Sequence, residues 1–474
     1  MAPVTNRQWG SDRLSSHGFK SQPFIVTTSF DRISKDTRKL IRSHVMRGKN
    51  TSKDAGAKLV YGSWVNGPDS LMPPGTLTSE EAPSWIPPPR TLCRDLETFT
   101  FADQLQPYTL ELVFKFFTIL KQSVYPIEFC LEFDPAASIW YKYLLVDAAF
   151  HHSLLWTTQS YFDWIQGDNL SAKALFHEAK TLQLLQCRIN DPEFALRDTT
   201  IAVVVTLVMV SALVGHVSVV KKHMKGLNQI ITLRGGMREL AKNAQLQIKV
   251  CRADLCTSLL SGNQPFFFSG GMSWQPYLAR PADINDFLAT NFAGCKIDKR
   301  LAGVAADLRR FSTSTNVAFA TGRKIAGEVY QEILISTQYR LVTLKFDQDD
   351  INELVRLGLL AFSSSVFLQG GGLRGRFVSL STQFKRILCK VNWTNPGPRR
   401  IGLWLLFSGL VAAVTQEDDD VLMPLLRERL RESGQSSWTG VRSILKSLMW
   451  IDALQDKSGR QVYDRAVLAI EQIS

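Results

Sequence analysis

An all-α, multi-helix body behind a basic N-terminal arm and a proline-rich linker is the fold that this sequence predicts. Three observations lead there. Apolar residues recur at helical spacing from about residue 108 to the end, and alternating strand patterns are scarce. Eight prolines between positions 63 and 107 exclude long helices and central strands from that stretch. The first 60 residues hold twelve Lys or Arg side chains against four Asp. The chain has 474 residues, with 55 basic and 43 acidic side chains and a formal charge of +12. The arm thus carries two thirds of the excess charge, and the body is nearly balanced. Hydrophobic residues make up 45% of the chain, which suits a folded body and argues against wholesale disorder.

Residues 1–62 form the arm. Within it, DRISKDTRKLIRSHVMRGKN reads as a short helix, with Leu40, Ile41, Val45 and Met46 on one side. Lys35, Arg38, Lys39 and Arg42 fall mostly opposite, and Arg47 and Lys49 follow. These six cations are the candidate nucleic-acid contacts. They would neutralise phosphates without reading bases, or form a solvated or import-directing patch. The opening MAPVTNRQWGSDRLSSHGFK lacks the apolar stretch of a secretory signal. Residues 63–107 form the linker, or an extended strap.

From 108 to 474 the expected helices are 110–122, 139–160, 170–187 with Asp168 near its start, 199–214 and 217–234. The last ends at Gly235-Gly236. Residues 260–295, rich in Gly and Pro, read as an irregular insert. Helices resume at 297–311, 322–341, 350–362, 401–414, 421–431, 441–454 and 462–473. The run Ile201–Val220 has no charged side chain and the length of a bilayer span. Its Thr206, Ser211, Gly215 and His216, with no aromatic belt beside them, favour a core helix buried on all sides. A membrane-associated protein is the alternative reading.

Residues suited to chemistry are sparse. The seven cysteines include no Cys-x-x-Cys pair, so no zinc module built from close pairs is expected, and they read as reduced core thiols. His151 and His152 are adjacent, so they point about 100° apart on a helix and do not share one metal well. His177-Glu178 lacks the second His of a zinc-binding helix motif. Gly370, Gly372 and Gly375 satisfy the dinucleotide glycine spacing, but no strand–helix alternation leads into them and no acid follows at the right distance. A nucleotide-binding enzyme is therefore the weakest of the readings, and no catalytic residue, metal or cofactor is expected.

Two phrases carry a resemblance. One is Arg38-Lys39-Leu40-Ile41-Arg42-Ser43-His44-Val45-Met46 within residues 23–50. The other combines His223, Gly226 and Leu227 with Leu233-Arg234-Gly235-Gly236, within 140–240. Both resemble the fungal-specific transcription factor family, the first in a branch that starts without its two-zinc, six-cysteine cluster. The resemblance implies an all-α regulatory region, a nuclear role in transcriptional control, and contacts with a second copy or a co-regulator. It also implies DNA reached through the arm or through a zinc-cluster partner, with target genes of the kind found in metabolite biosynthesis clusters. The six zinc-binding cysteines are missing, so the family's DNA-reading residues do not transfer. Read without the family, Gly226 would allow close helix packing, Gly235-Gly236 would stop the helix, and Arg234 would suit its negative end.

Overall fold

The computed structural model describes residues 101–474, apart from 104–105, 121–130, 133–137, 168, 269–271, 293–294, 349, 368–376, 414–418 and 472–474. The chain divides into two units, Met1–Ser84 and Trp85–Ser474, and every described residue belongs to the second. The arm, with Lys35, Arg38, Lys39, Arg42, Arg47 and Lys49, lies outside the described residues, as does nearly all of the linker.

The body is all-α, with eighteen α-helices among the described residues. Strand structure there is one two-residue parallel pair, β1 (Leu131–Glu132) against β2 (Ile325–Ala326). Proline opens the first helix, α1 (Pro107–Lys115), where its missing N–H has no partner to lose; a π-helical turn continues it to Leu120. The expected helix over 139–160 is two, α2 (Ile139–Val146) and α3 (Ala148–Ile165). Asp147 sits extended between them, and its carboxylate accepts from the Phe150 amide 2.8 Å away. In α4 (Ala172–Ile189) the cap is Ser171, accepting from the Ala174 amide; Asp168 lies outside the described residues.

After the short α5 (Pro192–Ala195) comes α6 (Asp198–Leu213), the centre of the first half. Ile201, Ala202, Val203 and Val208 are fully buried, and α3, α7 and α9 pack around it. The 20-residue apolar run is therefore two elements. Gly215, at φ +79°, and the bond from the His216 amide to the Ser211 carbonyl stop α6, and α7 (Val217–Leu233) then turns back. No helix among the described residues is long and apolar enough to cross a membrane. Val220, Met224, Leu227 and Ile231 form the buried stripe of α7.

Two helices lie where periodicity predicts none, α9 (Ala244–Ser261), after the short α8 (Met237–Leu240), and α14 (Val378–Lys390). The irregular insert is also shorter than expected. Pro281 occupies the first turn of α10 (Pro281–Asn291), with Asp283 accepting from the Arg280 amide, so a helix interrupts the expected insert, and its described non-helical residues are 262–268, 272–280, 292 and 295. Then follow α11 (Lys299–Thr321), α12 (Gly327–Thr343), α13 (Ile351–Phe367), α15 (Pro396–Ser408) with a π-helical turn to Ala413, α16 (Asp419–Ser433), α17 (Trp438–Leu448) and α18 (Asp452–Glu471). Helix α13 is the axis of this second half, with Leu359, Ala361 and Phe362 fully buried. It packs against α12, α14 and α15, and α12 in turn packs on α9, so one apolar core runs through both halves.

Candidate functional site

The family-like phrase falls on the junction of α7 and α8. Gly235 and Gly236 have φ of +107° and +83°. The Gly236 amide donates to the Ile231 carbonyl at 2.8 Å and the Gly235 amide to Thr232 at 3.1 Å, a left-handed helix stop. A Cβ on Gly235 would lie 2.9 Å from Glu239 Cγ, a contact that a shift of that side chain relieves, so it is the left-handed conformation that requires glycine. Gly226 behaves differently. A Cβ there would meet nothing within 4 Å, which corrects the expectation of close packing. Leu227 is fully buried against the core. His223 is half-buried, and burial followed by the Lys222 charge lowers its pKa.

Arg234 leaves the end of α7 to pair with Asp198, the first residue of α6, and donates to the Leu196 carbonyl at 3.3 Å. The other Asp198 oxygen accepts from Asn243 Nδ2 at 2.7 Å and from the Tyr143 hydroxyl at 3.3 Å. Asn243 in turn caps α9. Burial and the Asp198 charge push the Tyr143 phenol up to about 12, so it remains a donor. Arg234 thus ties the ends of α6 and α7 to α2 and α9. These contacts define a structural joint.

A second polar cluster lies inside the first half. His152 and His177, at 6% and 0% exposure, face each other across α3 and α4 with their Nδ1 atoms 2.8 Å apart. His152 Nε2 reaches Asp103 at 3.0 Å, and the Tyr108 hydroxyl reaches His177 Nε2 at 3.1 Å. The donor and acceptor roles along this row depend on the ring tautomers; one assignment that satisfies each contact has Tyr108 O–H donating to His177 Nε2, His177 Nδ1–H to His152 Nδ1, and His152 Nε2–H to Asp103. Burial, then the neighbouring His152, holds His177 down at about 4; the same two causes hold His151 there. The His151 and His152 rings lie edge to face, with centroids 5.6 Å apart and planes at 88°. Their sequence gives no sign that His177 meets His152, because that contact depends on how α3 and α4 pack. No group of three or more His, Cys, Asp or Glu side chains among the described residues is placed to hold a metal ion.

Two buried carboxylates that the sequence reading did not single out organise the 262–280 segment. Asp254 on α9 accepts from the Phe266 and Phe267 amides at 2.8 and 2.9 Å and from the Tyr339 hydroxyl at 2.9 Å. Asp307 on α11 accepts from the Tyr277, Leu278 and Ala279 amides and pairs with the buried Arg340 at 3.1 Å. The available signal is a lone acid inside apolar helical text, Arg-Ala-Asp-Leu-Cys and Ala-Ala-Asp-Leu. Cys251 and Cys256 lie on the same buried helix as free thiols, pushed up to about 12 by burial; Cys187 and Cys389 are exposed rather than core residues. The glycine triplet Gly370, Gly372 and Gly375 lies outside the described residues. The apolar run before it is helix α13, whereas a dinucleotide fold needs a strand there.

Set against family models, curated proteins and solved structures, this chain matches none of them.

Proposed function

We propose that the protein is a fungal transcriptional regulator or co-regulator that works in the nucleus through its helical body. The observation that carries this reading is the presence, in one chain, of the basic Arg-Ser-His-Val-Met phrase and the His-x-x-Gly-Leu … Leu-Arg-Gly-Gly phrase. The concentration of positive charge in the first 60 residues adds to it. On this reading the arm neutralises DNA phosphates, and choice of sequence comes from a zinc-cluster partner. The nearly balanced body contacts that partner, a co-regulator or a second copy, and the target genes lie in a metabolite biosynthesis cluster. The protein is not an enzyme.

Deleting the gene, sequencing transcripts and mapping the tagged protein on chromatin tests the proposal. A nuclear protein with a coherent set of changed genes is the expected result. Unchanged transcripts with cytoplasmic staining overturn it. On purified protein, replacing Arg38, Arg42 and Arg47 by Ala should weaken DNA binding on any sequence and lower its salt dependence by about three counterions. No retention on DNA at low salt removes the arm from the mechanism.

A further inference from the structure

A cavity of about 290 Å³ lies between α9, α12 and the 262–280 segment. That is near the lower end of the range used by small-ligand sites, about 300–1,000 Å³. Gln247, Ile248 and Cys251 face it from α9, at i, i+1 and i+4, and continue the side of the helix that carries Asp254. Glu332, Ile335, Ser336 and Tyr339 face it from α12, at i, i+3, i+4 and i+7. The segment closes it with Phe268, Met272, Ser273 and Tyr277.

Phe268 is the unusual part. It is the one non-glycine residue with positive φ, +54°, among the described residues. A bulky side chain rarely adopts that conformation, which costs about 1–3 kcal/mol when imposed. Asp254 accepts from the two preceding amides, and Asp307 accepts from three amides at the far end of the segment, so Phe268 follows directly on an anchored stretch of backbone. The Phe268 ring, 41% exposed, stands edge-on to Tyr339 with centroids 5.2 Å apart. Tyr277, 55% exposed, presents a second ring at the opening.

The charge of the lining is one-sided. Glu332 is the only acidic side chain of the lining, and no Lys or Arg is among the lining residues. The buried Arg340 guanidinium, 4.9 Å from the centroid of the Tyr277 ring, is paired with Asp307 at 3.1 Å, which offsets its charge. Cys251 remains a neutral thiol, which suits an apolar floor.

We propose that this cavity is a binding site for a small planar aromatic molecule bearing a cationic amine. The aromatic part stacks among Tyr339, Phe268 and Tyr277, and the amine meets Glu332 at the rim. The proposal goes beyond the transcriptional reading and does not depend on it, because binding is measured on the purified chain.

The test uses the full-length protein and two probes of matched ring, 1-naphthylmethylammonium and 1-naphthylacetate, followed by ligand-observed NMR and calorimetry. The ammonium probe should saturate and bind at least about threefold more tightly than the acetate. Glu332→Gln, at an exposed position, should erase that preference while leaving thermal unfolding unchanged. Ser336→Phe fills the cavity and should weaken both probes about tenfold or more. If that variant does not fold, Phe268→Gly removes the ring together with its backbone strain, and should weaken both probes in a protein at least as stable. Equal affinity for the two probes, no saturation at millimolar concentration, or unchanged binding in the cavity variants overturns the proposal.

Discussion

Gly226 and Gly235 belong to the same phrase of sequence and have opposite roles. Gly226 sits in the interior of α7 with open space where a Cβ would go, so Gly226→Ala should stabilise the protein by about 0.5–1 kcal/mol. Gly235 is left-handed, so Gly235→Ala should destabilise it by more than about 1 kcal/mol. Urea unfolding of both variants checks the pair; equal and opposite-signed results from those expected would refute the assignment of the stop. The glycine pair after an amphipathic run makes the stop legible in the sequence. The indifference of Gly226 is not legible, because it depends on what other helices leave empty. The same limit applies to His177, whose partner is set by a packing contact between α3 and α4.

At the scale of elements, local chemistry fixed starts and stops, and burial obscured periodicity. The stop at Gly215 turns what reads as a membrane-length run into two helices of a hairpin. Helix α9 escapes a periodic reading because it is buried on nearly every side and carries Arg252 and Asp254 within its buried surface. Both its buried acid and that of α11 serve the adjoining segment rather than their own helices. Replacing Asp307 by Asn would leave Arg340 charged without its partner and disrupt acceptance from three amides. We expect a loss of about 3–5 kcal/mol, read by denaturant unfolding, together with faster proteolysis of 262–280. A loss below 1 kcal/mol would mean that the segment is held by its aromatic contacts instead.

For the whole molecule, acidity acts through groups with opposite signs. His151 and His177 have folded-state pKa values of about 4, below the usual imidazole range. Between pH 6.5 and 4 the unfolded chain therefore takes up more protons, and stability falls as pH drops. Asp254 has the reverse shift, to about 6, so its burial opposes folding above that pH and this opposition fades towards pH 4. Two histidines outweigh one aspartate, so net stability should decrease on acidification across this window. The His177→Gln variant should show a shallower acid limb in denaturant melts taken from pH 7 to 4. An unchanged limb would show that His177 does not carry the effect. The body as a whole was legible as all-α because helical spacing survives over most of its length. The tertiary groups that make it pH-sensitive were not, since burial, the first cause in each case, is set by packing between helices rather than by sequence neighbours.

The small β1–β2 pair has a kinetic meaning. It joins Leu131 to Ile325, some two hundred residues apart, while most of the architecture consists of helices packed on near neighbours in the chain. Helices and hairpins such as α6–α7 can form on local timescales, but a parallel pairing of this span has to wait for the intervening chain to be compacted. The closure cost of so long a span argues that this pair clasps the chain after the helices on either side have formed.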